Sequence, residues 1–524
     1  MNPLIRARRK AGTAKRTVER ALRDRTIGTE YRAWLADARS AVPGTTSFTT
    51  TVSVIVPVYN PPVAFLRECL DSVVNQQARN WQLVIVNDGS TNEEIRSYLS
   101  EFADAHSADD RIVVLHKENG GISSALNAAL ERSSGEYVGM LDHDDVLDPR
   151  CIDAFARAVE DNQFPEAVYS DEDKIDVRGR HFELYCKPDF SPELLLTQMY
   201  LCHFTIYRRD LVINVGGLRS EVDGAQDFDL ALRLLPALHN VVHLARPLYH
   251  WRAWSESTAL QIEAKPWAQE AAARVQQHYM DRTFGGGKVG PSAVPGLNEV
   301  HPQIQGDPLV SVIITGADAG VRFDDALQSL VQLESRARFE AASGRATAIG
   351  DYLLFLDAGM TAAEADPITR LLEIGQIDGV GVVGGLLTDS QDRLAHAGIV
   401  LTPAGPVNCW KGRSAREPGY FGSTLTPRNY LAVSAAAMLV STSVFDALGG
   451  FDSTLEPALA EVDFCLRAAL AGHRVAWTPY ARFLQHDDDP DLPLLTQRWS
   501  AAVAVDPFYS PALSQSRRHL YEVL

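Results

Sequence analysis

Asp142, Asp144 and Asp145 follow directly on the apolar run Tyr137–Leu141, with His143 among them. Carboxylates packed this closely repel one another, so a bare cluster raises its own pKa values and weakens the fold around it. A hard divalent cation removes the conflict. Mg²⁺ or Mn²⁺ takes oxygen ligands at this spacing and keeps coordination sites open for phosphate. The chemistry on offer is a metal that grips a phosphorylated substrate; the bland alternative is a solvated Asp-rich turn.

For such a cluster to face a ligand, the run before it must be a strand ending at an open sheet edge. Val52–Tyr59 is a nearly continuous apolar run, as expected of a strand buried on both faces, and Asn60-Pro61-Pro62 ends it. Phe65, Leu66, Cys69, Leu70, Val73 and Val74 then recur at helical spacing. Trp81–Val86 predicts a second strand with a turn at Asn87-Asp88-Gly89-Ser90, and a helix is expected around Glu93–Phe102. Ile112–Leu115 predicts a third strand, Gly120-Gly121 opens a helical pattern over Ile122–Arg132, and Tyr137–Leu141 is the fourth strand. Strand–helix alternation of this kind predicts a doubly wound α/β half that gathers ligands at the carboxyl ends of its strands. No G-x-G-x-x-G follows the first strand and no G-x-x-x-x-G-K-[ST] occurs. The phosphates then need another grip, and the Asp cluster with a metal is the candidate.

VSVIVPVYN (52–60), VNDGS (86–90), NGGISSALNAAL (119–130), SSGEYVGMLDHDD (133–145), YSDEDKID (169–176) and GAQDFDLALRL (224–234) follow one another in order. Together they resemble a family 2 glycosyltransferase of GT-A fold, of the bacterial cell-surface polysaccharide type. The resemblance covers about residues 48–260. It implies inverting transfer of a hexosyl or deoxyhexosyl group from a nucleotide-diphosphate sugar to a hydroxyl of a growing glycan or glycolipid. It also implies roles for residues. Pro57, Tyr59, Asn60 and Asp88 would line the base and ribose pocket, with Asn87 competing with Asp88 for the base N–H. Asp142 and Asp144 would be the DXD pair, Asp144 on the metal and Asp142 on the ribose or the metal, with Asp145 behind them. Asp227, at a helix start, would be the base that deprotonates the acceptor; its competing role is a helix cap. His250 would help hold the metal or the diphosphate, and Arg252 would neutralise the leaving diphosphate. Asp171–Lys174 is expected as an acceptor-side loop or a solvated charge run, and His203 as a core histidine.

At 524 residues the chain is too long for one core. Its organisation reads as a basic helical arm (1–47), a GT-A domain (48–260), a helix near 265–283 with a linker (to 307), a second domain (308–490) and a helical tail (491–524). The net charge of −18 disfavours nucleic acid and suits a cytoplasmic protein, and the six scattered cysteines suggest reduced core thiols. Residues 1–25 nevertheless carry nine Lys or Arg. That arm either touches anionic lipid at the inner face of the cell membrane or lies solvated against the acidic body.

The second half reads as a weakened repeat. Pro308–Thr315 echoes the first strand, Ala348–Asp357 the run into the Asp cluster, and Glu461–Arg467 the segment Asp227–Arg233. Ser53 to Tyr137 spans 84 positions, but Ser311 to Tyr352 spans 41, so about half of the nucleotide-binding portion is expected to be missing, including any counterpart of Asn87-Asp88-Gly89-Ser90. The acid cluster shrinks to Asp357-Ala358-Gly359, while Glu461 and His486 remain. A non-catalytic domain with a structural, homodimerising or acceptor-binding role is expected. For the whole chain the competing classes are a nucleotidyltransferase, which would want a basic glycine-rich loop after the first strand, and a non-catalytic glycan-binding scaffold. VPVYNPP is neither basic nor glycine-rich.

Overall fold

The computed structural model describes residues 48–254, 266–316, 321–333, 336–403, 405–486 and 505–514, with isolated positions 33, 36, 499, 520 and 521. The basic arm, Asp487–Asp489 and most of the tail lie outside the described residues. No described helix is long and apolar enough to cross a membrane.

The first half is built on β1 (Val52–Val58), β2 (Trp81–Asp88), β3 (Ile112–Lys117), β4 (Tyr137–Met140), β5 (Val146–Leu147), β6 (Ala167–Ile175), β7 (His181–Tyr185), β8 (Thr205–Arg208) and β9 (Val241–Arg252). They form one mixed sheet in the order β3-β2-β1-β4-β8-β6-β9-β5, with β7 alongside β6. β1, β2, β3 and β4 are mutually parallel, as the strand–helix alternation predicts. Every residue of β1 and β2 is buried, which is why both read as unbroken apolar runs. The helix Val63–Val74 covers one face by burying Leu66, Cys69, Leu70 and Val73, and Ile122–Arg132 buries Ala125, Leu126, Ala129 and Leu130. Each fully buried leucine or valine among them contributes about 1.5–3 kcal/mol.

The helix Pro266–Phe284 follows, and residues expected as linker form a hairpin of β10 (Gly287–Pro291) and β11 (Asn298–Pro302). The second half contains β12 (Leu309–Thr315), β13 (Arg338–Ala342), β14 (Tyr352–Asp357), β15 (Met360–Ala362), β16 (Val380–Thr388), β17 (Leu394–His396), β18 (Ile399–Thr402), β19 (Gly405–Asn408), β20 (Arg428–Asn429), β21 (Ala437–Ser441) and β22 (Arg474–Gln485). Its main sheet runs β13-β12-β14-β21-β16-β22-β15. Strand for strand this is the first sheet without β3. β13 pairs with β12 in parallel as β2 pairs with β1, so the second strand does have a counterpart. What the repeat lacks among the described residues is β3 and the helices Glu93–Ala105 and Ile122–Arg132 that flank it.

The duplication extends to side chains. Arg233 pairs with Asp229 and donates to the carbonyls of Val215 and Gly217; Arg467 pairs with Asp463 and donates to those of Leu448 and Gly450. Ser53 Oγ accepts from Gly135 N–H and Ser311 Oγ from Gly350 N–H. The halves pack together through Tyr420, whose hydroxyl donates to Leu184 O and accepts from Cys186 N–H, both at 2.9 Å. The rings of Tyr185 and Phe421 stack at 3.9 Å, and Glu193, buried in the first half, forks onto Arg474 at 2.9 Å.

Candidate active site

The carboxyl ends of β1, β2 and β4 open on a cavity of about 350 Å³. Pro57, Val58 and Tyr59 form one wall, Asp88 and the start of the helix Ile122–Arg132 a second, and Asp142–Asp144 a third, with Trp251 and Trp254 opposite. Asp88 is held by a cradle: Lys117 Nζ at 2.6 Å and Gly120 N–H at 3.0 Å on Oδ1, and Gly121 N–H at 2.9 Å on Oδ2. Gly121 has φ +89°, and a Cβ there would meet Asp223 Oδ2 at 2.5 Å, so only glycine lets its amide reach Asp88. Asn87 instead turns inward, accepting from Ser90 N–H at 3.0 Å and bonding His116 at 3.1 Å. Of the two competitors it is Asp88 that lines the cavity. Asn60 is not among the lining residues. Its side chain laces the β1 turn to the β2 turn, donating to Thr91 at 3.1 Å and accepting from Asn92 N–H at 2.9 Å.

Asp142 is the pivot of the site. It also lines a smaller chamber of about 60 Å³ shared with Asp227, His203, Met199 and Cys202. Burial pushes the Asp142 carboxyl above its usual range, and the charges of Asp144 and Asp227 add to that. Among the described residues no hydrogen-bond donor reaches the Asp142 carboxylate, whereas Asp144 Oδ2 accepts from Trp254 Nε1 at 2.7 Å. Two carboxylates from one turn, one of them with no protein donor among the described residues, fit a hard divalent cation. Asp145 faces away: it is 1% exposed, accepts from the Tyr249 hydroxyl, and accepts from Arg252 N–H at 2.7 Å. Asp227 lies in the first turn of the helix Gln226–Leu234, whose cap position is Ala225, and its Oδ1 accepts from Phe228 N–H at 2.8 Å.

Other expectations come out differently. His250 does not join Asp142 and Asp144. Its neighbours on β9, Tyr249 and Trp251, turn to His203 with ring separations of 5.0 and 5.4 Å, while His250 takes the other face and bonds Asp173 at 2.6 Å. Arg252 does not line the cavity either; its Nε donates to Asp144 O at 2.7 Å and its Nη2 to Glu68 at 2.6 Å, bracing the Asp turn. Asp171–Lys174 is neither a loop nor a solvated run but the buried end of β6. Asp171 pairs with His243 at 2.9 Å, Glu172 with Lys187 at 3.1 Å, and Asp173 with both His181 and His250. Asp173, His181 and His250 offer ligand atoms close enough together to hold an ion of their own. His203 is not simply a core residue. Burial lowers its pKa, yet the hydrogen bond and charge of Glu172 with the charges of Asp142 and Asp145 prevail and hold it at about 9.

Residues 53–216 match the family model described as glycosyl transferase family 2. This segment is a family 2 glycosyltransferase domain. An uncharacterized protein of Sinorhizobium fredii, y4gI, is 31% identical over 89% of this chain and 58% of its own length. The O-antigen biosynthesis protein RfbC of Myxococcus xanthus is 29% identical over 88% of this chain and 40% of its own. The chain thus spans about half the length of these relatives, and both alignments extend well past the family 2 domain. Among solved structures, Staphylococcus aureus TarS with UDP-GlcNAc is 19% identical over 45% of this chain and 73% of its own, with a TM-score of 0.34. The mannosyltransferase PcManGT of Pyrobaculum calidifontis, with GDP-Man and Mn²⁺, is 21% identical over 51% and 74%, with a TM-score of 0.33.

Within the family 2 domain, several site residues escaped sequence reasoning. Lys117, Asn119 and His143 sit in or beside the cavity, and His143 is fixed there by Pro57 O at 3.0 Å. Asn119 and the Gly120-Gly121 pair are in a quoted motif, so their spacing before a helix was the available signal. His143 lies inside the quoted Asp-cluster motif, which placed it at the site without giving it a role, whereas Lys117 carries no signal, because its contact with Asp88 arises from strands that meet only in the folded sheet.

In the second half the equivalent acids are spent on the backbone. Asp357 Oδ1 accepts from Gly359 N–H at 2.8 Å, and Glu461 accepts from Ala435 N–H at 2.6 Å. His486 bonds Thr361 at 2.9 Å.

Proposed function

We propose that this chain is a metal-dependent inverting glycosyltransferase that moves a sugar from a nucleotide-diphosphate donor to a hydroxyl of a growing cell-surface glycan or glycolipid. One observation carries the reading: Asp142 borders both the large cavity and the chamber of Asp227, so a donor's diphosphate end and a base share one partition. The relative named for O-antigen biosynthesis supports a surface-glycan acceptor. In this reading Tyr59 and Asp88 take the base and ribose, with the fixed Asp88 cradle sparing the cost of reorganisation on binding. Asp142 and Asp144 would hold Mn²⁺ or Mg²⁺, which supplies neutralising charge for the diphosphate. Asp227 removes the acceptor hydroxyl proton while that oxygen attacks the anomeric carbon opposite the departing nucleotide diphosphate. Peripheral membrane contact through residues 1–47 would bring a lipid-linked acceptor within reach.

A panel of UDP-, GDP- and dTDP-sugars assayed for donor turnover tests the reading. Turnover is expected with one donor class, lost in EDTA and restored by Mn²⁺ or Mg²⁺; turnover indifferent to chelation would remove the metal from the proposal. Asp227→Asn is expected to lower transfer at least 100-fold while leaving donor Kd within about twofold, a general base contributing roughly 10²–10⁴. Equal loss of binding and transfer would make Asp227 a structural residue.

A further inference from the structure

A cavity of about 410 Å³ lies away from the family 2 site. It lies between the β10–β11 hairpin, the amino ends of β12 and β13, and the helix Pro367–Gly375. That is the opposite edge of the second sheet from Asp357, so it is no remnant of a duplicated donor pocket. In a protein of net charge −18 its lining is cationic: Lys288, His301, Arg336, Arg338 and Arg370. The acids there are already engaged. Asp307 binds Arg338 at 2.7 Å, Glu373 binds Arg370 at 2.5 Å and His301 at 2.9 Å, and Asp366 accepts from Arg336 N–H at 2.9 Å. Lys288 and the Arg336 guanidinium have no carboxylate partner among the described residues. The Thr369 hydroxyl, buried and without a hydrogen-bond partner, lines the same cavity. Pro302, Ile304 and Leu372 supply an apolar side.

We propose that this cavity binds a saccharide bearing an oxyanion, a phosphate or a uronate carboxylate, at a site separate from the donor cavity. Guanidinium forks match both oxyanions in planar, two-point geometry, and about 300–1,000 Å³ is the size of ordinary small-molecule sites. The apolar side accepts a face of the sugar ring, and Thr369 gains the partner it lacks. The proposal does not rest on catalysis in the first half.

Calorimetric titration of the full chain at 0.15 M NaCl, with glucose 1-phosphate, glucuronate and glucose as probes, tests it. Saturable binding of at least one of the two anions is expected, with glucose at least tenfold weaker. Which anion binds tells phosphate from carboxylate. The double variant Lys288→Gln/Arg336→Gln is expected to weaken that binding at least tenfold. No saturable binding of either anion, equal binding of glucose, or unchanged affinity in the double variant would each overturn the proposal. If the double variant unfolds at a lower temperature than the parent, Lys288→Gln alone, at an exposed hairpin position, is expected to weaken binding at least threefold, and unchanged affinity there overturns it too.

Discussion

His243 shows how a single buried side chain sets the pH response of the first half. Its ring is clamped between Asp171 and Asp189, each at 2.9 Å. Burial lowers its pKa, but the charge and hydrogen bond of Asp171, with those of Asp189, outweigh burial and hold it at about 9. The folded state therefore binds a proton that the unfolded chain releases near pH 6.5. The resulting stability is fully present below pH 6.5 and is lost as pH rises through 9. Urea unfolding at pH 6 and pH 9.5 should differ by about 2–3 kcal/mol from this group alone, and His243→Gln should remove that difference. An unaltered pH slope in the variant would assign the effect elsewhere. The same acids explain why a charge run in the sequence misled. Asp171 and Asp173 look solvated until their partners are known, and those partners, His243 and His250, lie 72 and 77 positions away.

At the scale of elements, the clamp of Arg467 on Asp463, Leu448 O and Gly450 O ties a helix to a glycine turn, as Arg233 does in the first half. Arg467→Ala removes the donor of two carbonyls and leaves the buried Asp463 carboxylate with its Trp499 bond but without the guanidinium, at a cost of about 3 kcal/mol. Thermal denaturation should show Tm lower by about 5–10 °C, with donor affinity of the first half unchanged. A smaller shift would mean that water replaces the guanidinium. The strands and helices of the parallel portion were legible because each is a local pattern: the unbroken apolar run of β1, the helical spacing of Leu66, Cys69, Leu70 and Val73, the glycines before Ile122. The antiparallel portion was not. β5 and β8 have 2 and 4 residues, too few for a period to register, and the hairpin β10–β11 hides in a Gly- and Pro-rich stretch. Of the site, the acids at strand and helix ends were readable from motifs. The facing of His250 was not, since a strand residue's side depends on the register of its neighbour.

At the scale of the whole molecule, the two halves are joined by a buried ion pair and an aromatic stack. Glu193 has a side chain 0% exposed, so Arg474→Ala strands its carboxylate, at about 2–4 kcal/mol given that Arg474 itself is partly solvated. Calorimetry should then resolve two unfolding transitions where the parent shows one, and Glu193→Gln/Arg474→Gln should bring them back towards each other. A single unshifted transition would show that the Tyr185–Phe421 stack and the Tyr420 bonds suffice. The missing β3 has a further consequence. β3 is an edge strand with one neighbour, so a gene can lose it with its flanking helices and forfeit only one ladder, whereas losing β1 or β4 would split the sheet. The excision is cheap in one direction and hard to reverse, because regaining a nucleotide wall would require a strand and two helices to return together. Among its described residues the second half thus keeps the frame of the first sheet without β3 and its flanking helices, one of which walls the first half's cavity, a shell open to other ligands.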